Sequence, residues 1–113
     1  MESRATLRYN RQSPFKVRKV LDAVRGANVG TAINYLHFSS EKASIAIEKT
    51  IRSAVANLMQ NDEASDLDPD LIKIKEAYVN QGPVMKRFRA ASMGRASKLR
   101  RPTSHLTIIL TTE

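Results

Sequence analysis

The sequence contains no cysteine and no tryptophan, and aromatic residues make up only 5% of its 113 residues. The absence of cysteine excludes disulfides and thiolate metal sites and is typical of a reducing compartment. No apolar run is long enough to span a bilayer. Residues 1–6 lack the apolar segment of a secretory signal. We therefore expect a single domain, spanning residues 1–113, that is neither inserted in a membrane nor secreted.

Acidic residues are missing from one long segment, residues 82–105, which carries seven lysines and arginines. The net charge is +5 over residues 1–25, −3 over residues 26–81 and +6 over residues 82–113. Charges that served only solubility would be interspersed, so two basic blocks around an acidic middle indicate a surface for a polyanion. We predict nucleic acid as the partner. A membrane surface is disfavoured, because no helix pairs a basic face with bulky interfacial aromatics.

Alternation of apolar and polar residues predicts three strands, over residues 5–9, 71–80 and 104–112. The last of them is rich in β-branched residues. The residues expected to share one face of a strand are Ala5, Leu7 and Tyr9, then Ile72, Ile74 and Tyr78, then Leu106, Ile108 and Leu110. Lys73, Lys75 and Ala77 are expected on the opposite face of the second strand.

Three helices are predicted between the first two strands. Ser13 and Pro14 have the types of an N-cap and a first helical residue, and Gly26 is a C-terminal stop. A short helix is expected over residues 31–36. A long helix is expected over residues 41–61, capped by Ser39 or Ser40, with Glu48 and Arg52 as an ion pair. The apolar stripes are Val17, Val20, Leu21 and Val24, then Ala32, Ile33 and Leu36, then Ala43, Ile47, Ile51, Ala54, Val55 and Leu58.

No arrangement of residues indicates catalysis or a cofactor. Residues 61–70 hold five acids, but they lack the glycine and the closing glutamate of a calcium loop, so we expect a solvated loop. His105 and Ser104 are neighbours in a strand and should point to opposite faces, which disfavours a nucleophile and its base. The six scattered aromatic residues are expected to pack mostly in the core or the hairpin, not to form a stacking platform.

Residues 82–103 separate the last two strands by more than an ordinary hairpin loop. They form either a disordered loop or a strand pair that continues outward as a finger of roughly 30–35 Å. We favour the finger, with its turn near Gly94. The predicted fold is α+β, a three-stranded antiparallel sheet packed on about three helices, with a long protruding β-hairpin.

The basic residues of the two charged blocks are the candidate contacts, because lysine and arginine neutralise phosphates and arginine also stacks on bases. Ordinary solvated charges are the alternative for each. The candidates are Arg8, Arg11, Lys16, Arg18, Lys19, Lys86, Arg87, Arg89, Arg95, Lys98, Arg100 and Arg101.

Several short segments resemble one family, in order and spacing along nearly the whole chain. They are Gly82-Pro83-x-Met85-Lys86-Arg87, Gly94-Arg95-Ala96, Thr103-Ser104-His105-Leu106-Thr107, Ser13-Pro14-x-Lys16-Val17-Arg18, Arg25-Gly26, Ser53-Ala54-x-Ala56-Asn57 and Asn61-Asp62. The chain is similar to the universal large-ribosomal-subunit proteins numbered twenty-two, of bacterial type. The tip departs from the family pattern at Ala90-Ala91-Ser92, and Pro102 stands where a basic residue is common.

The resemblance implies a structural protein of the large subunit that binds large-subunit rRNA early in assembly, without a cofactor. It implies neighbouring large-subunit proteins as partners, a globular part near the nascent-chain exit and a hairpin along the exit tunnel. The implied location is the ribosome of the cytoplasm, with that of an organelle that encodes its own copy as the alternative. It adds Thr103, Ser104 and His105 to the RNA-facing residues. The tip residues implied to face the tunnel and the nascent polypeptide are Arg89, Ala90, Ala91, Ser92, Met93 and Gly94. A free RNA-binding regulator, or a nucleic-acid-processing enzyme, is the alternative.

Overall fold

The computed structural model describes residues 2–60, 71–90 and 96–112. Along these ranges the elements are β1 (Glu2–Asn10), α1 (Pro14–Val24), α2 (Val29–His37), α3 (Ala43–Met59), β2 (Lys73–Gln81), β3 (Met85–Ala90), β4 (Ala96–Arg101) and β5 (Ser104–Thr111). One antiparallel sheet has the order β1-β5-β2, and β3 and β4 form a second sheet. The predicted α+β fold is confirmed. The predicted loop at residues 61–70 lies outside the described residues.

Helix α1 begins and ends where its sequence signals predicted. The Ser13 hydroxyl accepts a hydrogen bond from the Lys16 amide at 3.4 Å, and Pro14 occupies the first turn. All four residues of the predicted stripe are buried. Gly26 follows the C-cap residue with φ of +82°, a left-handed conformation that glycine adopts without steric cost.

The starts of the other two helices differ from the prediction. Helix α2 begins at Val29, two residues earlier than expected, because the Asn28 side chain accepts a hydrogen bond from the Thr31 amide at 2.8 Å. Helix α3 begins at Ala43, and its N-cap residue Lys42 makes no side-chain capping bond. The predicted cap at Ser39 or Ser40 is therefore wrong. The Ser39 hydroxyl instead accepts from the amide of Glu41 at 3.2 Å, before the helix starts.

Helix α3 lies against strand β1 and contributes five buried apolar residues to the core. The Ser3 hydroxyl donates to the Ala54 carbonyl at 2.8 Å, and the Asn57 amide group donates to the Arg4 carbonyl at 3.0 Å. Its predicted stripe is buried apart from Val55, which is partly buried. These contacts fix the helix along the sheet, and the predicted Glu48–Arg52 pair forms at its surface at 2.9 Å.

Strand β5 is the centre of the main sheet. Ile108 is fully buried and lies opposite Ala5 of β1 and Ala77 of β2. Leu106 and Leu110 are also fully buried on the same face, as predicted. The helices cover this face, so the hydrophobic core lies between the sheet and α1, α2 and α3.

Two strands carry an irregularity that changes which side chains face the core. The pairing of β2 with β5 shifts between Ile74 and Glu76, so Ala77 is buried and Tyr78 is 37% exposed. The predicted faces of Ala77 and Tyr78 are thus wrong, because one extra residue in a strand reverses the alternation. The pairing of β1 shifts after Leu7, and Tyr9 is 64% exposed with φ of 57°. The prediction that Tyr9 shares the face of Ala5 and Leu7 is wrong for the same reason.

Candidate nucleic-acid interface

The basic segment between the last two strands of the main sheet forms a two-stranded hairpin. Strands β3 and β4 pair from Met85 opposite Arg101 to Ala90 opposite Ala96. Six residues per strand correspond to about 20 Å. The molecule is elongated, with extents of 64 × 24 × 16 Å. The finger predicted for this segment is confirmed over these residues, whereas its turn near Gly94 lies outside the described part of the chain.

Like charges meet across the hairpin near its base. Lys86 of β3 lies directly opposite Arg100 of β4, and both residues are exposed. Like charges in a cross-strand pair are destabilising unless counter-charges offset them. Arg101 is also exposed and follows Arg100. Farther along the two strands lie Arg87, Arg89 and Lys98, opposite Leu99, Ser97 and Phe88. Arg95 and the predicted tip residues 91–94 are outside the described ranges.

The hairpin is attached to the main sheet through Gly82 and Thr103. The Gly82 amide donates to the Thr103 carbonyl at 2.9 Å, and the Thr103 hydroxyl donates to the Pro83 carbonyl at 2.5 Å. A β-carbon at Gly82 would lie 2.5 Å from the Thr103 hydroxyl oxygen and 3.2 Å from Nε2 of His105. Only glycine therefore fits between these two side chains without a shift.

His105 ties the base of the hairpin to the irregular end of β1. Its Nδ1 accepts a hydrogen bond from the Tyr9 amide at 3.1 Å, and the two rings meet edge to face with centroids 4.9 Å apart. Thr103 and Ser104 are buried, with 2% and 0% exposure, and His105 is half-buried. Their side chains hold protein contacts or lie covered, so the RNA-facing role assigned to them by resemblance stays a prediction.

The predicted basic residues of the globular part divide into two groups. Arg8, Arg11, Lys16 and Lys19 are exposed. Arg18 is exposed as well, and its Nη2 donates to the Val79 carbonyl of β2 at 2.7 Å.

Arg25, the C-cap residue of helix α1, makes the same kind of contact, with Nη2 donating to the Ala77 carbonyl at 2.9 Å. Arg18 and Arg25 therefore cover carbonyls at the outer edge of β2, which blocks pairing with another strand. The role of Arg25 was missed, although its spacing of seven residues from Arg18 places both on one helix face.

A cleft of about 930 Å³ lies where the hairpin base meets the N-terminal ends of α1 and α3. We call it the basal cleft. Five cations and one acid line it, together with exposed apolar groups. Its lining residues are Arg11, Gln12, Ser13, Phe15, Lys16, Lys19, Glu41, Lys42, Ala43, Met85, Arg101 and Pro102. The cleft therefore joins the two basic blocks that the sequence separates, and it adds Lys42, which sequence analysis did not select.

The aromatic residues are placed differently from the prediction. Those with described side chains are exposed rather than in the core: Tyr9 64%, Phe15 78%, Tyr35 51%, Phe38 84% and Tyr78 37%. For Phe15, a signal was present in the sequence, because its position next to Pro14 lies off the apolar stripe of α1.

Three acidic residues of the described ranges, Glu2, Asp22 and Glu48, form ion pairs with Lys75, Arg25 and Arg52. The hydrogen bond from Lys75 lowers the pKa of Glu2, and the hydrogen bond from Arg52 lowers that of Glu48. No group of three His, Asp or Glu side chains that would hold a metal ion is found in residues 2–60, 71–90 and 96–112. A search of the same ranges finds no helix long and apolar enough to cross a membrane.

Comparison with known proteins assigns the family. The family model described as Ribosomal protein L22p/L17e matches residues 5–111. The chain is 45% identical over 107 residues to the large ribosomal subunit protein uL22 of Magnetococcus marinus, covering 95% of this chain and 92% of that protein. It is 47% identical over 110 residues to uL22 of Syntrophotalea carbinolica, covering 97% of both chains. It is 46% identical over 110 residues to uL22 of Staphylococcus haemolyticus, covering 97% and 92%. The chain belongs to the uL22 family of the large ribosomal subunit, a family of structural ribosomal proteins and not of enzymes.

Proposed function

We propose that this structural constituent of the ribosome binds large-subunit rRNA and supports early assembly of the subunit in the cytoplasm. We propose further that residues 1–113 are one ribosomal-protein domain, within which residues 82–103 are an extended basic hairpin. The observation that carries it is the hairpin itself, a separate two-stranded sheet without an acidic residue. An isolated two-stranded hairpin is marginal in water, and its facing cations weaken it further, so a polyanion is the partner that stabilises it.

The exposed cations would contact RNA in two regions of the protein. Arg8, Arg11, Lys16, Arg18 and Lys19 would contact RNA at the surface of the globular part, while Lys86, Arg100 and Arg101 would contact it at the hairpin base. We propose RNA contacts for Arg87, Arg89, Arg95 and Lys98 as well. For Thr103, Ser104 and His105 we propose a supporting role. Their side chains are covered or hydrogen-bonded within the protein at the hairpin base, and they thereby orient the strands that carry the cations.

A salt titration tests the RNA contacts. Affinity of the full chain for deproteinised large-subunit rRNA is measured at several salt concentrations, for the natural chain and for a variant with Lys86, Arg100 and Arg101 changed to alanine. The slope of log affinity against log salt should fall by about 0.7–0.9 for each lost phosphate contact. Lys49→Ala is the matched control, because Lys49 is an exposed residue of helix α3 in the acidic middle of the chain. Equal slopes for the triple variant and the control would show that the hairpin base does not contact phosphates.

We further propose that the globular part lies near the nascent-chain exit, beside neighbouring large-subunit proteins, and that the hairpin tip lines the exit tunnel. The chain has no cysteine, so a single introduced cysteine gives an unambiguous cross-linking position. Ala91→Cys in ribosomes carrying a stalled nascent chain should cross-link to that chain, and Lys49→Cys should not. A cross-link pattern that is the same for both positions would contradict the tunnel placement.

A further inference from the structure

The basal cleft exposes an aromatic ring among cations. Phe15 lies in the first turn of α1 and is 78% exposed. Lys16 and Lys19 of the same helix line the cleft with it, and Lys42 and Arg101 line it from α3 and the hairpin. Contact of the Phe15 ring with water is unfavourable, so a partner that covers the ring would be stabilised. The cleft lining has a net charge of +4, which disfavours an apolar peptide as that partner. A ring and cations together match a nucleotide, whose base has a π face and whose phosphates are anionic.

The size and the electrostatics of the cleft fit the same ligand class. Its volume of about 930 Å³ lies in the range of ligand sites in proteins. Two helices begin at the cleft, since the N-cap residues Ser13 and Lys42 both line it. The N-terminal ends of helices carry a partial positive charge, which adds to that of the side chains and favours phosphate.

We propose that the basal cleft binds one unstacked nucleotide of large-subunit RNA, with its base packed on the ring of Phe15 and its flanking phosphates held by Lys16, Lys19, Lys42 and Arg101. This inference rests on the proposed RNA-binding function and adds a defined subsite to it. Because Arg101 pairs with Met85 at the base of the hairpin, the same nucleotide touches both the globular domain and the hairpin. Its binding therefore fixes the direction in which the hairpin leaves the domain.

Affinity measurements separate the base contact from the phosphate contacts. Binding of deproteinised large-subunit rRNA is compared for the full natural chain, Phe15→Ala, Phe15→Trp and Lys19→Ala. We expect Phe15→Ala to lose about 5- to 140-fold in affinity with an unchanged salt slope, since a stacked base is lost but no phosphate contact. Phe15→Trp should retain the affinity, because tryptophan keeps an aromatic face. Lys19→Ala should lower the salt slope. Phe38→Ala, which removes a ring that is 84% exposed outside the cleft, is the matched control and should bind like the natural chain.

Ultraviolet cross-linking locates the contact directly. Trypsin cleaves after Arg11 and Lys16, so a nucleotide joined to Phe15 appears on the peptide of residues 12–16. We expect this adduct with the natural chain, and we expect its loss in Phe15→Ala while adducts on other peptides persist.

The possible failures are distinguishable. Absence of rRNA binding by the natural chain would overturn the proposed function and the subsite with it. Normal binding by Phe15→Ala, without an adduct on residues 12–16, would overturn the subsite alone. If Phe15→Ala binds rRNA normally but loses a neighbouring large-subunit protein, the cleft belongs to a protein partner, which also overturns this inference.

Discussion

Replacing Gly82 by alanine should destabilise the domain through one defined steric contact. The added β-carbon would lie 2.5 Å from the Thr103 hydroxyl oxygen, a distance that forces a shift. Thr103 is only 2% exposed, and its hydroxyl donates to the Pro83 carbonyl, so it has little freedom to move. Overpacking costs about 1–3 kcal/mol, and loss of a buried hydrogen bond adds about 1 kcal/mol. The expected total is about 2–4 kcal/mol.

Urea and thermal unfolding of the full chain measure this cost. At about 2.1 cal/mol/K per residue, the entropy of unfolding makes each kcal/mol worth about 4 °C for a chain of 113 residues. We therefore expect the melting temperature of Gly82→Ala to fall by about 8–16 °C. Gly26→Ala is the matched control, because its β-carbon would meet nothing within 4 Å and its cost comes only from φ of +82°, about 1–2 kcal/mol.

A double-mutant cycle tests whether the contact with Thr103 is the cause. Thr103→Ala removes the hydroxyl, so Gly82→Ala should cost little more in that background, and the two changes should be coupled by about 1–3 kcal/mol. Gly26→Ala and Thr103→Ala should be additive to within about 0.5 kcal/mol. A cost below about 0.5 kcal/mol for Gly82→Ala, or additivity with Thr103→Ala, would refute the steric explanation.

Three further changes probe the core, a helix cap and an ion pair. Leu106→Ala, at a fully buried position of β5, should lower the free energy of unfolding by about 2–5 kcal/mol in urea titrations; a loss below about 1 kcal/mol would contradict its central place. Ser13→Ala should cost about 0.5–2 kcal/mol, near the lower limit because the capping bond is long at 3.4 Å, and Ser13→Asp should restore stability. The bond from Arg52 lowers the pKa of Glu48 below its ordinary value of 4.5, so its contribution to stability is present above that pH and is lost as the pH falls through the folded value. Glu48→Gln should therefore flatten the acid dependence of unfolding measured between about pH 3 and pH 6, and an unchanged profile would exclude this pair as its source.

The helices were predictable where the signals are local. Ser13, Pro14 and Gly26 mark both ends of α1 through capping and φ preferences that depend on neighbouring residues only. The start of α3 was not predictable from local signals. Ser39 and Ser40 have the residue types of a cap, but the chain turns once more before Ala43. A preference for capping does not determine where the following turn places the helix axis.

The errors in the strands share one cause. Alternation placed Tyr78 on the face of Ile74 and Ala77 on the opposite face, and a single irregularity near Lys75 reversed both. Whether a strand accommodates an extra residue depends on its partner, here β5, which is distant in the sequence.

The candidate interface was predictable as charge but not as shape. The acid-free segment identified the hairpin, since charge is read residue by residue. The basal cleft was not predictable, because it joins Phe15, Lys42 and Arg101 from three elements that only the fold brings together. For the same reason Arg18 was selected by its charge, although its guanidinium bonds the Val79 carbonyl.

The central position of β5 determines when the protein can fold during its synthesis. Within the described residues strand β1 pairs with β5 alone, and the partners Ala5 and Ile108 are separated by roughly 100 residues. Until β5 has been synthesised and has left the ribosome that makes it, neither β1 nor β2 has its partner, and the apolar faces of the three helices have no sheet to cover them. Folding of this domain is therefore a late event with a long loop to close, and the newly made chain needs protection of its apolar surface before that point. This ribosomal protein therefore folds only after the ribosome that makes it has synthesised β5.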